Sequence, residues 1–250
     1  MSKKIAAGSN AIVLEVTHGT GAFMRDEESA CELARIMMDI GRRAGLKMSA
    51  VITDMNEPLG HAVGNSLEVI EAIEALKGNA VPDISEVMQV IIPEMIMAGG
   101  KAEDREAAWR LAGEAISSGR ALEAFRRMIE AQHGDPKVID DYSLFPKAPV
   151  KLEVPAEHDG CLSVTDCAGI GECVKLLGGG RVTKEQEIDL SVGLEMRVKH
   201  GEKVSKGDLL LEIYARNDRE AEEAKQKFLD SVEITDTAPA LNNLIYTLND

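Results

Sequence analysis

One stretch constrains the fold of this 250-residue chain more than any other. Val51 to Asp54 is an apolar run closed by a carboxylate. The chain then passes through Met55-Asn-Glu-Pro-Leu-Gly60 and enters a helical pattern from Asn65 to Leu76 that carries Glu68 and Glu71. Strand, polar loop and helix start, in that order, are where α/β proteins build ligand sites. A similar unit precedes it. Residues 11–16 read as a buried strand, His18-Gly-Thr-Gly-Ala-Phe23 as a Gly-rich loop, and Asp26 as the opening of a helix. That helix carries Ala30, Leu33, Ala34, Met37, Met38 and Ile40 on one stripe and stops at Gly45. Residues 48–53 form the next strand. Strand-helix-strand-helix order predicts a parallel sheet covered by helices.

Asn65 or Ser66 is the expected cap of the 65–76 helix, and Gly78 its stop. Pro82 and Asp83 open a further helix, in which Pro93 should introduce a kink because it lacks an N–H. Residues 102–117 and 120–132 supply two more helices, hinged at Gly119. The character then changes. His133-Gly-Asp-Pro136, Asp140-Asp141 and prolines 146, 149 and 155 make a loop-rich connector. Beyond it Cys161–Thr165, Ile188–Leu190, Leu194–Val198, Leu209–Tyr214 and Val232–Thr235 read as short strands, with a helix over 217–229. The expected organisation is α/β: residues 1–148 as one domain with a mixed sheet and flanking helices, and residues 149–250 as a smaller α+β domain. The tail from Asp189 to Leu210 has the cadence of a barrel-sandwich hybrid, the fold of biotinyl and lipoyl carriers. It lacks their short lysine-bearing tip sequence, so covalent cofactor loading is not expected.

Composition excludes several classes. A chain that is 44% hydrophobic and 28% charged has ordinary globular proportions. No apolar run approaches the roughly 18 residues of a membrane span. The two lysines at the N-terminus are not followed by an apolar core, so no signal peptide is expected, and a cytoplasmic location is the default. A net charge of −15 is the wrong sign for a phosphate-backbone binder. Cys31, Cys161, Cys167 and Cys173 include no C-x-x-C pair and no zinc spacing, and read as buried thiols in a reducing compartment.

Three loops contain candidate chemistry. Gly19-Thr-Gly-Ala-Phe23 follows a strand and precedes a helix, so it could hold an anion, or it could be a plain tight turn. Gly178-Gly-Gly-Arg181 resembles a phosphate loop at first sight but lacks G-K-[ST], and reads as a flexible turn. Leu59-Gly-His-Ala-Val-Gly64 cannot continue a strand smoothly, so its carbonyls should lie free of a ladder near Glu71. Carbonyls with one carboxylate suit a hard cation of low charge; an ordinary turn with a solvated Glu is the plainer alternative. The five histidines are scattered, and His61 is assigned no catalytic role.

Several phrases then resemble those of the pyrimidine-nucleoside phosphorylase and thymidine phosphorylase family. They are Met1-Ser-Lys-Lys-Ile-Ala-Ala-Gly8, Gly21-Ala-Phe-Met24, Thr53-Asp-Met-Asn-Glu-Pro-Leu-Gly60, Gly64-Asn-Ser-Leu-Glu-Val69, Ala131-Gln-His-Gly-Asp135, Leu177-Gly-Gly-Gly-Arg181 and Val198-Lys-His-Gly-Glu-Lys-Val204. They run collinearly through almost the whole chain and match the C-terminal portion of family members.

The resemblance implies reversible phosphorolysis of uridine, thymidine or deoxyuridine to free base and a pentose 1-phosphate, in pyrimidine salvage, with inorganic phosphate as co-substrate. It makes Lys3 the lysine that binds the pyrimidine carbonyl. It makes Leu59 and Ala62, through their carbonyls, and Glu71 ligands of a potassium ion. The family's Lys-His-Ser-Thr-Gly-Gly-Val-Gly-Asp phosphate loop does not occur in these residues, nor does the helical domain through which family members form homodimers. The chain alone is therefore expected to be inactive. Two alternatives stay open: one half of a split enzyme completed by a separate N-terminal chain, or a non-catalytic interaction module.

Overall fold

The computed structural model describes residues 1–241 and 243–247. A short helix, α1 (Ser2–Ala6), leads into β1 (Ala11–His18), α2 (Glu27–Arg43) and β2 (Lys47–Asp54). β1 and β2 pair in parallel, from Ala11 opposite Lys47 to His18 opposite Asp54. α2 forms where its signals place it. The Asp26 side chain accepts the Ser29 N–H at 2.8 Å, Glu27 and Glu28 occupy the first turn, and Arg42 and Arg43 the last. Its Ala30, Ala34 and Met38 bury against Leu14, Val16, Ala50 and Ile52. Gly41 permits this closeness, since a Cβ there would sit 2.3 Å from the Met48 sulfur.

The next elements are β3 (Ala62–Val63), α3 (Asn65–Leu76), α4 (Pro82–Ala98), α5 (Arg105–Ser117) and α6 (Arg120–Ala131). α4 packs on β1 and β2. It lies on the face opposite α2: Val13 and Glu15, which alternate with the buried Leu14 and Val16, line a hollow together with Ile91 and Met95 of α4. Pro93 is buried inside α4 and does not end it. The cap of α3 differs from expectation. Neither Asn65 nor Ser66 caps the helix. Gly64, at φ 129°, is the cap residue, and its N–H donates to Glu68 Oε1. The Asn65 amide instead donates to the Gly179 carbonyl.

After two short 3₁₀ turns come β4 (Val150–Pro155), β5 (Gly160–Val164), α7 (Cys167–Leu176), β6 (Gly193–Met196), β7 (Lys203–Val204), β8 (Leu209–Ala215), α8 (Asp218–Leu229), β9 (Val232–Thr235) and β10 (Ile245–Thr247). One antiparallel sheet has the order β3-β6-β8-β4, a second the order β7-β5-β9, and β10 adds antiparallel to β2. The sheet of β1, β2 and β10 is therefore mixed. The larger core lies in this later part and includes Leu162, Ile170, Leu194, Met196, Leu211, Ile213 and Phe228.

Two readings need correction here. Residues 188–190 are not a strand, and residues 167–176, unassigned from sequence, are the helix α7. Cys161, Cys167 and Cys173 are buried free thiols and Cys31 is half-buried. Burial pushes the thiols of Cys167 and Cys173 up to about 12, so they are inert.

Candidate functional site

The turn between β2 and α3 is built in three layers of hydrogen bonds. The first closes the end of β2. Asp54 Oδ1 accepts the Asn56 N–H at 3.0 Å, forming an Asx turn, and Thr53 Oγ1 donates to Glu15 Oε1 at 2.9 Å. Met55 N–H donates to the His18 carbonyl, Gly21 N–H to the Met55 carbonyl, and Thr20 N–H to Asn56 Oδ1. Gly19 and Ala22 N–H bond to the Met24 and Gly19 carbonyls. All four amides of the Gly19–Ala22 segment are thus engaged, which decides for the tight turn and against an anion cradle. The loop also reaches further, because Thr20 Oγ1 accepts the N–H of Cys167 at the start of α7.

The second layer is the Pro-Leu-Gly turn. Gly60 has φ 74°, a conformation that favours glycine. Its N–H donates to Asp83 Oδ2 at 2.8 Å, where α4 begins. Lys199, from the far end of the chain, places its Nζ 2.5 Å from the Pro58 carbonyl and 2.8 Å from the Gly60 carbonyl. The same ammonium pairs with Asp83 at 2.9 Å and Glu57 at 3.4 Å. Burial pushes the Asp83 carboxyl up, but the Lys199 ammonium and the Gly60 and Ile84 amides outweigh it and hold it below the usual range. Among the described residues no donor reaches the Leu59 carbonyl.

The third layer joins the turn to α3 and β6. Glu71 Oε1 accepts the His61 N–H at 2.8 Å and Oε2 the Ala62 N–H at 3.4 Å. On the other side, the Met196 N–H donates to the His61 carbonyl, and His61 Nδ1 lies 2.9 Å from the Met196 carbonyl, so that nitrogen carries the proton. His61 is thus bonded to β6 through its carbonyl and its ring, while the main-chain N–H groups of both His61 and Ala62 turn to Glu71. The expectation that this segment lies free of any ladder holds for Leu59 but not for Ala62–Val63, which form a short edge strand against Leu194 and Glu195. A hollow of about 500 Å³ opens beside the turn, bordered by Gly21, Leu59, Ala62, Glu68 and Lys175.

Two family models match the chain. Residues 1–122 match the glycosyl transferase family a/b domain, and residues 161–235 match the pyrimidine nucleoside phosphorylase C-terminal domain. The pyrimidine-nucleoside phosphorylase of Geobacillus stearothermophilus is 44% identical over 246 residues, covering 98% of this chain and 57% of the relative. That of Bacillus subtilis is 44% identical over 248 residues, and that of Staphylococcus aureus strain USA300 43% identical over 249 residues. Each alignment covers 99% of this chain and 57% of the relative. The chain belongs to the pyrimidine-nucleoside phosphorylase family.

This chain spans 57% of the length of those phosphorylases. Of the four positions assigned from the family resemblance, Leu59 and Ala62 lie on the turn and Glu71 reaches it from α3. Leu59 contributes a carbonyl that no described residue bonds, Ala62 the main chain of the short edge strand β3, and Glu71 a carboxylate that accepts the His61 and Ala62 N–H groups. Oxygen donors of this kind suit a hard cation. Lys3 lies apart on α1, exposed, with no side-chain hydrogen bond among the described residues.

The Gly178–Gly180 run is a packed turn rather than a flexible one. Its Gly178 and Gly179 N–H groups bond to the Lys175 and Val174 carbonyls, and the Gly179 carbonyl receives Asn65. From the sequence Asp83 is assigned only to the start of a helix, and Lys199 no role at the turn. The only trace of Lys199 was its place in the Val198–Val204 phrase, and nothing local links it to a turn 139 residues away.

Proposed function

We propose that this chain supplies part of the active site of a pyrimidine-nucleoside phosphorylase. The observation that carries the reading is collinear identity of 44% across 98% of the chain with a phosphorylase of that name. In the reaction, a phosphate oxygen forms a bond to the anomeric carbon of uridine, thymidine or deoxyuridine while the bond from that carbon to the base nitrogen breaks. The base leaves with the electron pair and takes up a proton. Negative charge therefore grows on the base. On the family resemblance the Lys3 ammonium, on a short helix ahead of the sheet, would neutralise that charge at a ring carbonyl, and such electrostatic stabilisation lowers the barrier directly.

Leu59, Ala62 and Glu71 would hold potassium. The ion would supply fixed positive charge that braces the phosphate-binding part of the site. Glu71 bonds two of the turn's amides and Asp83 a third, which holds the turn in place. The Lys-His-Ser-Thr-Gly-Gly-Val-Gly-Asp phosphate loop does not occur in the 250 residues. Phosphate binding by these residues alone is therefore not supported, and the isolated chain is proposed to be inactive.

A uridine and thymidine phosphorolysis assay on the purified 250-residue chain tests this reading. Base release at background level is expected, and turnover at a rate typical of enzymes, about 10 per second, would overturn it. One observation favours the second reading, a split enzyme completed by another chain. β1 is an edge strand in the order β1-β2-β10, with helices on both faces and Phe23 beside it fully exposed. An uncovered apolar sheet edge is a pairing surface.

A further inference from the structure

We propose that Lys199 is a positioning residue for the Glu57–Ala62 turn, a built-in cation that fixes the Pro58 and Gly60 carbonyls and leaves the Leu59 carbonyl free to face a ligand. The geometry stands by itself. Only the consequence for ligand binding rests on the cation reading given above.

The Lys199 side chain is 14% exposed and its ammonium touches four oxygens: two main-chain carbonyls, Asp83 and Glu57. An ammonium has three donors and no acceptor, so it can serve a cluster of oxygens that no neutral side chain could satisfy. The two carbonyls it takes flank Leu59. Along Pro58-Leu-Gly60 the middle carbonyl is the one that no described residue bonds.

The neighbouring residue completes the grip, because the His200 N–H donates to Glu57 Oε2 at 3.1 Å. Asp83 is shared between this ammonium and the Gly60 N–H, so the start of α4, the turn and the Arg197–His200 segment meet at one charge. Without Lys199, the half-buried carboxylates of Glu57 and Asp83 would face each other uncompensated. The turn would then open along the Pro58–Gly60 carbonyls, which are the groups adjoining the proposed cation ligands. A surface ion pair would be worth little; this one is enclosed and bonded to main chain, which lets it define a conformation.

The test compares the full chain with Lys199→Met and Lys199→Arg by amide hydrogen exchange and by titration with thallium(I), a potassium surrogate. In Lys199→Met, exchange of the Gly60, His61 and Ala62 amides is expected to rise roughly tenfold while that of β8 stays unchanged. Thallium affinity is expected to fall about tenfold. Lys199→Arg keeps the charge but replaces a point donor by a planar fork, and should restore the exchange protection only in part.

Unchanged exchange in the turn would overturn the proposal. So would a rise spread evenly over the chain, which marks an ordinary stabilising ion pair. If the unsubstituted chain and Lys199→Met bind thallium equally well, the positioning claim fails. If the unsubstituted chain binds none, the cation reading fails instead, and a rise confined to the turn still supports Lys199 as its clamp.

Discussion

Gly60 shows how tightly single residues define the turn. At φ 74° its backbone already disfavours any side chain, and a Cβ would lie 2.2 Å from Glu71 Oε2 and 2.8 Å from Ile84 Cδ1. The Glu71 carboxylate is the end of a flexible side chain, so Gly60→Ala is expected to displace it rather than unfold the chain. The cost is the His61 and Ala62 bonds plus left-handed strain, about 1–3 kcal/mol in urea unfolding. A change within a few tenths of a kcal/mol would mean that Glu71 does not hold the turn.

At this scale part of the site was legible. Pro58-Leu-Gly60 announces a turn, and a Glu one helix face further on announces an oxygen donor. Lys199 and Asp83 were not legible, because a lone lysine and an acid in the first turn of a helix have ordinary local explanations. Only tertiary packing brings Lys199 to the Pro58 and Gly60 carbonyls and Asp83 to the Gly60 N–H.

Among the elements, β8 carries the most strongly shifted carboxylate. Glu212 is 4% exposed and bonds Lys151 of β4, Arg197 just past β6, and Tyr214 on its own strand. Burial alone pushes its carboxyl up, but these three partners override it and hold it at about 2, against an ordinary 4.5. A depressed folded-state value stabilises the fold fully above about 4.5 and loses that contribution as pH falls toward about 2.

Urea unfolding at about pH 7 and about pH 3 should therefore show a smaller loss on acidification in Glu212→Gln than in the unsubstituted chain, by about 1–2 kcal/mol. Equal losses would show that the cluster does not couple to folding. The strands of this sheet were unevenly legible. β8 announces itself as Leu209-Leu-Leu-Glu-Ile-Tyr214. β4 hid among prolines 149 and 155, which an edge strand tolerates because its outer N–H groups need no partner. α7 hid behind Gly169 and Gly171, which weaken a helical pattern. Gly169 is nevertheless required where it is, since a Cβ there would meet Ser231 Oγ at 2.2 Å.

For the molecule as a whole, the two ends of the sequence are interlocked. β3 is an edge strand of the sheet formed by β6, β8 and β4, β10 returns to β2, Thr20 caps α7, and Lys199 closes the turn before α3. The α/β class was legible from strand-helix alternation. The crossing contacts were not, because they depend on pairings more than 100 residues apart that no local pattern encodes. No helix among the described residues is long and apolar enough to cross a membrane.

This interlocking makes the segment from Asp54 to Glu71 the point where distant parts of the chain converge on a single cluster of oxygens. The most direct test is an anomalous difference map from crystals of this chain soaked in thallium(I). A peak within coordination distance of the Leu59 carbonyl, the Ala62 carbonyl and the Glu71 carboxylate is expected, lost in Glu71→Ala. A map with no peak at the turn, or one whose peak persists in Glu71→Ala, would contradict the account.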